Sequence, residues 1–361
     1  MRQLYILILT IFSIALNAQA PTGYYNGAAG LDDFALKTAL KNIIDDVDDG
    51  NGQPFHDNTI TYGQLWSLYT TSDVRSDGKV WDMYSQCNFT FGTDQDTGTG
   101  GATECDKYNR EHTFARSWFG NDTNLPIFSD AFHVVPADKR VNAIKGNYAF
   151  GEVASPNYTS LNNSKRGNSS IVGSEPIVFE PADEFKGDFA RGFFYVAVRY
   201  EDLIAGWETL DPNGDSILDG SSNKVFEQWA LDMLYDWHIN DPVSQKEIDR
   251  NNAIFVHQDN RNPFIDNPQW VFDIWKTTLS TDNNGIEKIK IYPNPATDKI
   301  TIDLPANKKT KVEIYDVLGK RILQKDIDKS TTLSIKTLKS GVYMMRLTQG
   351  SSSLTKKLIV N

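Results

Sequence analysis

Tyr108-Asn109-Arg110-Glu111-His112-Thr113-Phe114-Ala115-Arg116-Ser117-Trp118-Phe119 is followed by Asp130-Ala131-Phe132-His133-Val134-Val135-Pro136-Ala137-Asp138-Lys139-Arg140-Val141-Asn142-Ala143-Ile144-Lys145-Gly146-Asn147-Tyr148-Ala149-Phe150-Gly151. Only five histidines occur (His56, His112, His133, His238, His257), and one of them stands beside a glutamate here. On a strand, adjacent Glu and His can take different roles. A carboxylate is a charged oxygen ligand for a hard divalent cation such as Mg²⁺. A neutral imidazole can accept a proton from water. An asparagine oxygen can complete a metal shell and still leave positions for water and phosphate. Residues 107–145 hold six basic residues against four acidic ones, a basic island of the kind a phosphate-binding site needs. Spacing alone leaves the alternative open, because a lone Glu-His pair is also an ordinary surface or capping feature.

Outside this stretch the charge is uneven. Residues 21–280 carry 20 lysines and arginines against 39 acidic residues, whereas 281–361 carry 15 against 8. The change near 280 marks a domain boundary. Residues 279–287 read as a polar linker. A positive start at Arg2, an apolar run Leu4–Leu16 and an Ala18-Gln19-Ala20 end read as a secretory signal peptide, 1–20. Pro21 makes cleavage after Ala18 the alternative to cleavage after Ala20. No other run is long enough to span a bilayer. Export would place Cys87 and Cys105 where disulfides form, so they are expected to pair; two free thiols are the alternative.

Helical spacing is read at 31–47 (Leu36, Leu40, Ile43, Ile44, Val47), from Asp188 to about Tyr200, and at 224–238. Ser244-Gln245-Lys246-Glu247 is a capping box opening another helix. Beyond the linker the period changes to two, as in Lys299-Ile300-Thr301-Ile302-Asp303-Leu304, in short runs separated by Gly, Asn, Asp and Lys. The expected fold is therefore α+β: a mainly helical domain, 21–280, followed by a small all-β sandwich, 288–361.

Two resemblances sharpen this reading. Ile291-Tyr292-Pro293-Asn294-Pro295-Ala296, Val312-Glu313-Ile314-Tyr315-Asp316, Leu318-Gly319-Lys320, Leu338-Lys339-Ser340-Gly341-Val342-Tyr343 and Lys356-Lys357-Leu358-Ile359-Val360 resemble the type A sorting domain of type IX secretion. That resemblance implies delivery to the cell surface or medium by the secretion machinery and removal of the tail. Glu111–Phe119 and Asp130–Val153 resemble the signature of the endonuclease I family, secreted bacterial nucleases with a ββα-metal (His-Me) finger. Supporting segments are Tyr24-Tyr25, Val80–Ser85, Phe179–Tyr200 and Trp237–Asp266, so the likeness spans about 24–278.

This second resemblance implies a Mg²⁺-dependent, sequence-nonspecific endonuclease acting on DNA, with RNA as a further substrate, and leaving 5′-phosphate ends. It implies His112 as general base and Glu111 and Asn142 as ligands of one catalytic Mg²⁺. Phe132 stands where the family has its usual first histidine, and His133 follows. Arg191, Arg116 and Lys145 are candidates for the phosphate contact, Arg191 first. His238 is read as a packed histidine and Asp130 as orienting His133 or capping a turn. Asp211-Pro212-Asn213-Gly214-Asp215-Ser216-Ile217-Leu218-Asp219 offers oxygens at Asp211, Asn213, Asp215 and Asp219 as a short Ca²⁺ loop, although Ser216 and Ser222 exclude a true EF-hand; a plain polar turn is the alternative. The mature protein is expected to be a monomer. The rival function is a catalytically inactive surface adhesin or binding module.

Overall fold

The computed structural model describes residues 20–45, 60–171, 173–279, 286, 289–304, 309–316, 320–349 and 352–361. Residues 1–19 of the expected signal peptide, His56 and nearly all of the expected linker lie outside them.

The first helix forms where the apolar spacing predicts. α1 spans Asp33–Ile44 and buries Leu36, Leu40 and Ile44. α2 spans Leu65–Ser72. A two-stranded antiparallel ladder, β1 (Tyr108–His112) on β2 (Val134–Asp138), is followed without a break by α3 (Lys139–Lys145). Asp138 ends β2 and N-caps α3, accepting from the Arg140 and Val141 amides at 2.8 and 3.0 Å. A second antiparallel sheet orders β3 (Val153–Thr159), β4 (Lys165–Ser169) and β5 (Ile177–Glu180).

The centre of the helical domain is α4 (Lys186–Arg199), buried along almost its whole length, Arg191 and Arg199 included. α1 and α5 (Gln228–Asn240) pack on it. α6 (Gln245–Gln258) opens with the expected capping box, Ser244 and Glu247 exchanging side-chain and backbone bonds, and packs on α2. α7 (Gln269–Trp275) packs on α1. One contiguous core, Ala28 to Leu279, joins these elements.

A second core runs from Ile286 to Val360. It lies between a three-stranded sheet and a four-stranded sheet. The first orders β10 (Thr331–Ser334), β7 (Lys299–Asp303) and β6 (Lys290–Tyr292). The second orders β12 (Ser352–Val360), β11 (Gly341–Gln349), β8 (Thr310–Tyr315) and β9 (Arg321–Ile327). All these pairings are antiparallel. Alternation fixes the register: Ile300 and Ile302 turn inward while their neighbours Lys299, Thr301 and Asp303 face outward or half outward. Among the described residues no helix is long and apolar enough to cross a membrane.

Candidate active site

Strand alternation sorts β1 into two faces. Tyr108, Arg110 and His112 share one, Asn109 and Glu111 the other. α3 lies on the second face through two contacts. Asn142 Nδ2 donates to Asn109 Oδ1 at 2.9 Å, and Lys145 Nζ stands 3.0 Å from Glu111 Oε1. Two residues along the strand thus meet three along the helix, which puts Glu111 and Asn142 between the same two elements.

Glu111 is buried. Its Oε1 accepts from Tyr84 Oη at 2.9 Å as well as from Lys145. Burial raises the Glu111 carboxyl above its usual range; the Lys145 cation and the Tyr84 hydroxyl oppose this. Lys145 is itself fully buried and also donates to the Thr113 carbonyl at 3.3 Å. The bond to Asn109 sets the Asn142 amide orientation and leaves Oδ1 as a spare acceptor. A carboxylate and an amide oxygen on one face are hard oxygen donors, a set that fits Mg²⁺.

His112 ends β1, 5% exposed. Its Nε2 donates to the Phe128 carbonyl at 2.9 Å, which fixes the tautomer and leaves Nδ1 with a free lone pair. No described residue hydrogen-bonds Nδ1. The ring stacks on Tyr62 and on Phe128, centroids 5.5 Å away in each case, and lies 5.6 Å from His133. Burial, then the neighbouring His133, push the His112 pKa well below 6.5. The imidazole is neutral near pH 7, as a base must be.

Of the expected phosphate contacts, only Arg116 is available. Arg191 is fully buried: Nε and Nη2 bind Glu247 at 2.5 and 2.8 Å, and Nη1 donates to the Asp241 carbonyl at 2.8 Å. The reading of Arg191 as a phosphate contact is corrected accordingly. A buried guanidinium must be paired, and this one ties α4 to α6. Lys145, also expected as a phosphate contact, is likewise enclosed and committed to Glu111, and so is not open to a phosphate. Arg116 is exposed, its guanidinium 4.9 Å from the centre of the Phe128 ring.

The expected Ca²⁺ loop is not gathered into a cage. Asp211 caps a helical turn at Asn213 and Gly214 and accepts from Asn147 Nδ2 at 2.8 Å. Asp219 accepts from Ser221 and pairs with Lys224. Asn213 donates to Asn147 Oδ1 at 3.1 Å. At Gly214 a Cβ would lie 3.1 Å from the Trp118 ring, so glycine there lets the loop press on the motif. The segment braces the stretch 117–147. Among the described residues, three Asp, Glu, His or Cys ligand atoms converge only at Cys87, Cys105 and Asp138, and the two sulfurs there are joined in the expected disulfide.

The Asp130 side chain does not bond the His133 ring; it caps the turn, as the alternative reading expected, its Oδ1 accepting from the Phe132 amide at 3.1 Å. Burial alone would raise its carboxyl, but Arg199 overrides this, and Tyr195, Tyr200 and Gln258 complete its shell. His133 donates Nε2 to the Ile127 carbonyl at 2.6 Å, and burial lowers its pKa to about 4. Phe132 packs on Tyr195, centroids 4.7 Å apart. His238 is buried, as expected, donating Nε2 to Pro268. Sequence reasoning missed Tyr62, Tyr84, Asn109 and Phe128 as parts of this site and had Arg110 only as one member of the basic island. Only Asn109 and Arg110 lie next to the Glu-His pair; the others arrive through tertiary contacts.

Comparison with known proteins gives the family. Residues 33–269 match the family described as Endonuclease I, and residues 290–361 match the secretion system C-terminal sorting domain. An extracellular ribonuclease of Bacillus amyloliquefaciens is 34% identical over 255 residues, covering 70% of this chain and 78% of that protein. One from Bacillus subtilis is 33% identical with the same coverage. An endo-acting ulvan lyase of Formosa agariphila is 37% identical over 97 residues, 24% of this chain and 19% of that enzyme. The chain belongs to the endonuclease I family, and it is a secreted or cell-surface nuclease bearing a C-terminal sorting domain.

Proposed function

We propose that this nuclease is a Mg²⁺-dependent, sequence-nonspecific endonuclease that hydrolyses DNA and also RNA, with His112 as general base and Glu111 and Asn142 as metal ligands. The observation that carries it is the His112 tautomer: Nε2–H is spent on the Phe128 carbonyl, and Nδ1 keeps a free lone pair on the residue next in sequence to the buried Glu111 carboxylate. RNA enters because the Bacillus relatives are named ribonucleases.

His112 Nδ1 takes a proton from a water molecule. The resulting hydroxide attacks the scissile phosphorus, the P–O3′ bond breaks, and the leaving 3′ oxygen takes a proton from a second water, giving 3′-hydroxyl and 5′-phosphate ends, while His112 later returns its proton to solvent. No 2′-hydroxyl takes part, so DNA and RNA both qualify. The metal, when bound, offsets charge on the scissile phosphate and on the leaving oxygen. Lys145 and Tyr84 hold the Glu111 carboxylate in place on one side. Phe128 and Tyr62 keep the His112 ring from rotating.

The test is incubation of the protein with supercoiled plasmid and, separately, with a structured RNA, in Mg²⁺ and in chelator. Cleavage of both in Mg²⁺ only is expected. Undiminished cleavage in chelator, or intact plasmid under all conditions, contradicts the proposal.

A further inference from the structure

Six cations lie in residues 107–145, and the fold commits three of them, while Arg140 is exposed on α3. Lys145 is bound to Glu111, Lys139 to Asp96, and Lys107 to the Thr93 carbonyl. Two arginines differ in their surroundings. Arg110, half-buried, lies over the Tyr62 ring at 3.5 Å and the Trp66 ring at 4.5 Å, donating Nη1 to the Tyr62 carbonyl. Arg116, exposed, lies over the Phe128 ring. Among the described residues neither forms an ion pair with a carboxylate. By contrast, the buried Arg191, Arg199, Arg250 and Arg261 each have one.

Tyr62 and Phe128 are also the two rings stacked on His112. One unneutralised guanidinium therefore sits on each ring that holds the base. A guanidinium laid on an aromatic face keeps N–H donors for the two non-bridging oxygens of a phosphate and has lost much of its freedom beforehand. Substrate binding then orders little that is not already ordered.

We propose that Arg110 and Arg116 form a two-cation subsite for the phosphates flanking the scissile one on a single nucleic-acid strand. Tyr62, Trp66 and Phe128 serve as the platform that holds the two cations beside His112. This rests on the nuclease reading above and adds to it the number of backbone contacts and their place. The subsite reads backbone charge, not base edges, and so gives no sequence preference.

The test uses the full chain with His112→Ala, in chelator, and a fluorescein-labelled single-stranded oligodeoxynucleotide titrated across a range of KCl concentrations. Each neutralised phosphate contributes about −0.7 to the slope of log affinity against log salt for a single strand. Arg110→Gln and Arg116→Gln are each expected to flatten the slope by about 0.7 and weaken binding at low salt. Arg110→Lys keeps the charge and is expected to retain the slope while binding less tightly, since a stacked guanidinium is not replaced by an ammonium. Arg346→Gln, exposed on β11, is expected to change nothing. Arg116 is exposed, so its variant tests the proposal independently of any folding defect at Arg110. A parent that binds with a slope untouched by both glutamine variants overturns the subsite alone. A parent that binds no oligonucleotide, together with a wild-type chain that cleaves none, overturns the nuclease reading and the subsite with it.

Discussion

At the scale of single residues, the His112 environment has a direct consequence for pH. Burial disfavours the imidazolium, so the folded pKa lies well below 6.5. Only the neutral form accepts a proton, so the base stays competent as pH falls through 6.5 and is lost at lower pH. The acid limb of kcat/KM is expected below pH 6.5; a limb centred at or above 6.5 contradicts the assignment. Glu111 and His112 were legible as a candidate pair because they are adjacent in the chain and their chemistry is complementary. Arg191 misled because sequence does not show burial. Its partner Glu247 lies 56 residues away on another helix, and pairing across that distance leaves no local pattern. Tyr62 and Phe128 were hidden for the same reason, being ordinary aromatics until the fold sets them against His112.

At the scale of elements, the arrangement turns on how α3 starts. Asp138 caps it, and the Cys105 amide donates to Asp138 Oδ2 at 2.7 Å. The Cys87–Cys105 disulfide, 18 residues apart, thus fastens its loop to the helix that carries Asn142 and Lys145. Closing a loop of that size contributes about 3 kcal/mol in the chain-entropy account. The double variant Cys87→Ser, Cys105→Ser is expected to melt roughly 6–12 °C lower. Unchanged melting, or two alkylatable thiols in untreated protein, contradicts this. The helices α1, α4, α5 and the capping box of α6 were readable because apolar spacing and cap chemistry are local signals. The segment 211–219 was open to two readings, since the same oxygens suit a cation cage or a capped turn. Packing of Gly214 on Trp118 and the bonds to Asn147 decide for the turn here.

At the scale of the molecule, the two hydrophobic cores fall on either side of the charge change near residue 280 that the sequence displays. Every residue of the candidate site lies in the first core's part of the chain. A chain ending at residue 279 is therefore expected to cleave plasmid at the rate of the full-length protein, measured side by side; a large loss of rate would show that the tail takes part in the site. The period-two pattern made the tail legible, because strands with one buried face must alternate. The assembly of Tyr84, Lys145 and Glu111 was not, because it joins three separated segments. The most direct measurement is plasmid cleavage by His112→Ala under single-turnover conditions in Mg²⁺, with thermal melting recorded on the same sample. The expected result is a rate lower by about 10²–10⁴-fold with melting near that of the wild type. Cleavage at the wild-type rate by this variant would contradict the account.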